Sequence, residues 1–122
     1  MRKLVLALAI AGSIGCKHPG SKLEGHWKGT SGESPGAQVA ANAFATQTEI
    51  TAKGTTITIT TPGSKPVAAT FVVDSENAST VVVHTDKDGA ANKETFGFTD
   101  DAKTMTWRMG EGRTITFQRQ KD

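Results

Sequence analysis

The residues that do chemistry most often are few in this chain and do not converge. Three histidines, His18, His26 and His84, are far apart, and no two share a strand face at i, i+2 spacing, which a metal site would need. Asp86-x-Asp88-Gly89 has the opening of a calcium loop, but the later ligands and the bidentate glutamate are missing, and an Asp-Gly turn accounts for it. Asp100-Asp101 is the other carboxylate pair. Both pairs fall in solvated turns, with little to shift their pKa values for acid–base work. The serines cluster in linkers and turns, with no Gly-x-Ser-x-Gly and no phosphate-cradling glycine loop. Asn77-Ala78-Ser79 fits a glycosylation sequon, which an Asn-Ala-Ser turn between strands explains as coincidence. The sequence therefore predicts no catalysis, no metal and no cofactor. The most distinctive apolar stripe is Met105, Trp107 and Met109, on one strand face with Arg108 on the other. An ordinary core explains it. A ligand pocket is the functional reading, since Met adapts its shape and Trp offers an apolar wall with one N–H. With Phe71, Met105 and Trp107 form the candidate pocket, closed over by the 29–43 segment.

The N-terminus speaks of location. Arg2 and Lys3 precede the apolar run Leu4 to Ala11, then Gly12-Ser13-Ile14-Gly15 and the lone cysteine, Cys16. This is the layout of a secretory signal peptide over residues 1–15, too short to be a permanent membrane span. Ser13-Ile14-Gly15-Cys16 resembles the lipobox of bacterial lipoproteins, departing from it at Ser13, where leucine is usual. The resemblance implies a lipid anchor, palmitate included, on Cys16. Plain cleavage after Gly15 is the alternative, but it would leave an unpaired thiol in an oxidising compartment. Residues 16–22 then form a short lipidated linker. Lys17, where inner-membrane lipoproteins carry aspartate, implies by the same resemblance an outer-membrane anchor facing the periplasm.

Charge narrows the partners. The whole chain has 14 basic and 12 acidic residues; without Arg2 and Lys3 the basic count is 14 − 2 = 12, matching the acidic one. Charges of both signs are scattered, so there is no footprint for nucleic acid. The membrane is a partner through the lipid alone.

The elements follow from a period of two. Gly25 to Lys28 makes a first strand, and residues 29–43 read as a long irregular loop whose Ala-rich end, 37–45, has at most a helical turn. Phe44-x-Thr46-x-Thr48-x-Ile50-x-Ala52 alternates, and six further segments follow between Gly, Pro, Asp or Asn turns: 55–60, 66–73, 79–85, 93–99, 103–109 and 113–120. Eight strands with short connections predict an all-β, antiparallel up-and-down barrel over residues 23–122, closed so that no edge stays bare. A small open sandwich is the competitor. Apolar faces carry Ile50, Ile57, Ile59, Phe71, Val81, Val83, Phe96, Phe98, Ile115 and Phe117, while threonines such as Thr58, Thr106 and Thr116 face out. About fifteen large apolar side chains nearly fill an eight-stranded interior.

Gly25-x-Trp27 at the start of such a meander resembles the opening motif of the lipocalins and their calycin relatives. There the tryptophan plugs the closed end, and a basic residue from the last strand packs over its ring. The resemblance makes Trp27 and Arg119 the barrel-closing pair and puts a lid in the long first loop. The chain is shorter than typical lipocalins and lacks their C-terminal helix and disulfide; it is closer to short lipocalin-like domains behind bacterial signal peptides. Such a domain implies a small apolar ligand. Loops that bind or inhibit a protein, with 29–43 the protruding candidate, are the alternative, and a structural envelope lipoprotein without a ligand is a third.

Overall fold

A computed structural model describes residues 19–121 of the chain. Residues 1–15, Cys16 and the linker residues Lys17 and His18 lie outside the described residues. Eight antiparallel strands close into one barrel in sequence order. They are β1 (Gly25–Glu33), β2 (Glu49–Lys53), β3 (Thr56–Thr60), β4 (Val67–Glu76), β5 (Thr80–Thr85), β6 (Glu94–Phe98), β7 (Thr104–Gly110) and β8 (Arg113–Arg119). Each strand pairs with the next, and β8 returns to β1, with Trp27 opposite Arg119 and Gly29 opposite Phe117. The open sandwich is ruled out by that last pairing.

Alternation sets the inside and the outside. Trp27, Ile50, Val81, Val83, Phe96, Met105 and Phe117 are wholly buried and form the core. Thr51 pairs with Thr58, and Thr106 with Thr116, on the opposite face. Apolar-in and polar-out is the reverse of a membrane-spanning barrel, whose outer band must be apolar.

Two expectations are corrected around the first connection. Strand β1 runs on to Glu33, and residues 38–45 form an α-helix, α1 (Gln38–Ala45), so 29–43 is not one loop. Phe44 and Thr46 are therefore not strand residues; β2 begins at Glu49. The physical reason lies in the alanines. Four of the eight residues of α1 are alanine, the strongest helix former, and a helix this short is held by what it packs on. Val39, on the side away from the barrel, is 85% exposed.

The closed end is built by the chain's entry and exit. A 3₁₀ turn, Ser21–Leu23, buries Leu23 completely beneath the barrel. The Trp27 Nε1–H donates to the Leu23 carbonyl at 2.9 Å, so the one polar atom of the buried indole is satisfied. The Arg119 guanidinium lies over the same ring, its carbon 4.2 Å from the centroid. From there it donates to three backbone carbonyls: Lys22 at 2.9 Å, Ala102 at 3.0 Å, and Glu24. The glycine of Gly25-x-Trp27 is explained as well. Its φ is 131°, and a Cβ there would come within 2.5 Å of Arg119 Nη1.

Replacing Arg119 by Ala removes the cation over the indole and leaves three carbonyls without a donor. The expected loss is about 4 kcal/mol, from roughly 1 kcal/mol for each of the three hydrogen bonds and a similar cation–π contribution. Arg119→Lys should recover only a fraction, because an ammonium cannot reach three divergent carbonyls from over the ring. Urea denaturation followed by tryptophan fluorescence reads both; an Arg119→Ala midpoint equal to the parent's would refute the clamp.

Candidate functional site

The other end of the barrel carries the helix and an apolar recess. Helix α1 leaves β1 and turns back against the barrel's inner wall. That is permitted because the inward positions after Trp27 are Gly29 and Gly32, which stand opposite the buried Phe117 and Ile115. A Cβ on Gly29 would lie 2.8 Å from the Ala45 carbonyl carbon and closer still to its oxygen; one on Gly32 would lie 2.5 Å from the Ala41 oxygen. Bare backbone thus makes the bed for the helix. A bulge between Gly29 and Ser31 keeps both glycines inward.

Hydrogen bonds fasten α1 along its length. The Gly32 N–H donates to Asn42 Oδ1 at 3.0 Å, and Gln38 Nε2 donates to the Gly32 carbonyl at 2.6 Å. At the C-terminal end, the Gly29 N–H donates to the Thr48 carbonyl at 2.9 Å, and the Thr48 hydroxyl, wholly buried, donates to Phe44 O at 2.7 Å. The N-terminal end is held less. Ala37 in the N-cap position makes no side-chain cap, and the first turn has no acidic residue. So α1 is held by buried bonds at its C-terminus, and at its start by the Gln38 side chain without a cap.

Beneath it lies a recess of about 270 Å³. The roof is Ala37, Ala40, Ala41 and Phe44, one helix face at i, i+3, i+4, i+7; the floor is Met109 and Ile115. Glu33 and Arg113 stand at its rim. A second recess, about 420 Å³, meets the first at Met109 and is bordered by Glu94.

The residues expected to line a pocket are placed as follows. Phe71 is 4% exposed and Met105 fully buried, both in the core; a side chain at Gly20 would touch Phe71, which puts it by the closed end. Trp107 is half-buried against the core, stacked on Phe96 with centroids 6.1 Å apart. Its Nε1–H donates to Glu94 Oε1 at 2.8 Å. None of the three lines the 270 Å³ recess; Met109 and Ile115 do. The segment expected to be a lid does cover it, as a helix. Trp27 and Arg119 meet as the closing pair.

No family model, no curated protein and no solved structure matches this chain. What it can do is therefore read from its own geometry.

The polar clusters elsewhere are surface pairs. His26 Nε2 and Glu49 Oε1 are 2.6 Å apart, on the face away from Trp27 as alternation requires. His84 Nδ1 sits 2.9 Å from both oxygens of Asp74, with Lys93 Nζ 3.7 Å from Oδ1. Among the described residues, no group of three or more His, Cys, Asp or Glu gathers as a metal would require.

Two consequences can be measured. Gly29→Ala should destabilise by about 1–3 kcal/mol through overpacking against Ala45, and should open residues 38–45 to protease. Gly36→Ala should cost only about 1 kcal/mol, from positive φ alone, since nothing lies near its Cβ. Equal midpoints for the two would sink the bed assignment. The hydrogen bond from His84, with the charges of His84 and Lys93, holds the Asp74 carboxyl below its usual 3.8. A depressed folded-state pKa gives stability that is present above the unfolded value and lost as pH falls through the folded one. Acid unfolding below pH 3.8 should thus be less steep in Asp74→Asn, as read by circular dichroism across a pH series.

Proposed function

We propose that the chain is a lipid-anchored bacterial envelope protein whose lipocalin-like barrel binds a small apolar ligand, without catalysis. One observation carries the binding half: an apolar recess at the barrel mouth, bordered by a helix whose N-terminus has no side-chain cap. A floor of Met109 and Ile115 under small alanines gives a ligand apolar contact on two sides, while the uncapped start of α1 can lift to admit it. At about 270 Å³ the space suits a small molecule rather than a long lipid chain. The anchoring half rests on the signal-like leader and Cys16, with palmitate and the outer membrane as implied by the lipobox resemblance.

The protein-binding alternative keeps a feature of another shape: residues 34–37 lead into α1, whose Val39 is 85% and Phe44 39% exposed.

The test is native mass spectrometry of the protein purified without detergent from its own host. Added mass that leaves on activation is expected, and its identity names the ligand class. In Ala40→Trp an indole fills the recess, so the added mass should vanish while the unfolding midpoint holds. A bare parent protein, or a filled variant that still carries the mass, would overturn the assignment.

A further inference from the structure

Besides Glu33, which follows inward Gly32 and is exposed, the mouth holds two charges that the core does not need. Glu94 alternates with Phe96 and Phe98, and Arg113 with Ile115 and Phe117, so both continue inward-facing rows to the rim. Arg113 makes no ion pair or hydrogen bond among the described residues, and it borders the 270 Å³ recess. Glu94 likewise has no cationic partner among them; its one bond is the Trp107 N–H on Oε1, which aims the carboxylate and leaves Oε2 open.

The register puts these charges in one row. Thr95 stands opposite Arg108, so Glu94 stands level with Met109; Arg113 pairs with Gly110 on the far side of the same strand. Their backbones are thus about two strand spacings apart, roughly 10 Å. Met109 lies between them, and it is also where the two recesses meet. Nearby cations are engaged elsewhere. Lys93 is directed to Asp74, and the Arg108 guanidinium lies 3.2 Å from a Cβ built on Gly97, over the outer face.

A purely apolar ligand across this mouth would cover part-buried Glu94 and reach exposed Arg113 while pairing neither. Taking water from the carboxylate without giving it a partner is costly. A ligand with charges of both signs at its ends and an apolar middle answers all three features together. We infer that the two recesses that meet at Met109 together take a small zwitterion with apolar side chains, an apolar dipeptide, its ammonium on Glu94 and its carboxylate on Arg113. Two extended residues span about 7 Å, which matches the separation once the side chains lean in. This rests on the ligand-binding reading of the same recess and adds the ligand's chemistry.

The test is calorimetric titration of the protein, freed of bound ligand, with three probes: leucyl-leucine, decanoate and decylamine. Leucyl-leucine should bind best. Glu94→Gln and Arg113→Gln should each weaken it by about tenfold or more, as for loss of one charge-assisted hydrogen bond. Both variants should fold: Glu94→Gln keeps a side-chain oxygen for the Trp107 N–H, and Arg113 holds nothing else among the described residues. Decanoate binding that ignores Glu94→Gln, or decylamine binding that ignores Arg113→Gln, with no uptake of leucyl-leucine, would overturn the zwitterion and keep the recess as a binding site. If none of the probes binds, the zwitterion falls; the recess itself falls only if the native mass is also bare.

Discussion

The guanidinium of Arg119 is the point on which the barrel closes. It stands at the end of the last strand, above the tryptophan of the first, and its hydrogen bonds reach the entry segment ahead of β1 and the β6–β7 turn. Without a disulfide, an eight-strand meander has only the β1–β8 ladder to keep its ends together, and ladder ends fray. A planar group that satisfies three carbonyls, two from the entry segment and one from the β6–β7 turn, ties the end of that ladder to its neighbours. Leu23 and Trp27 then fill the floor behind it, and Gly25 is glycine because the guanidinium already occupies the space of a side chain.

The mouth is solved differently. There the barrel is covered by packing and a few hydrogen bonds, with no charge clamp. Gly29 and Gly32 sacrifice core side chains so that a helix backbone can approach, and Ala45 and Thr48 are buried in exchange. A larger residue at either glycine would give a fuller core and no place for α1. The chain trades packing at one wall for a cover over a hollow.

Most of the barrel is legible in the sequence because its strands alternate strictly: Ile57/Ile59, Val81/Val83, Phe96/Phe98 and Ile115/Phe117 each declare a face. The closing pair is legible through Gly25-x-Trp27 and a basic residue on the last strand. The helix is hidden by a stronger local pattern. Phe44-Thr46-Thr48-Ile50 alternates by accident across a helix end and a strand start, and it masks the i, i+3, i+4, i+7 spacing of Ala37, Ala40, Ala41 and Phe44. The recess is hidden with it, since its roof is that helix face. Glu94 and Arg113 are visible in principle, as charged residues in phase with buried phenylalanines and Ile115. A charge at a strand's first residue usually points to water, however, and that expectation conceals them. The leader and Cys16 lie outside the described residues, so the anchor rests on sequence.

The route by which the chain enters the barrel has a bearing on access. Gly20 is buried, its N–H on Glu76 Oε1 at 2.9 Å, and Lys22 pairs with the same carboxylate, so the N-terminal segment is fastened to the sealed floor. Anything that tethers the chain ahead of Pro19 therefore holds the molecule by its base, like a cup standing on a surface. The rim, with α1 across it, then opens toward the aqueous compartment. On the reading proposed above, a ligand would then reach the recess from the side away from the tether.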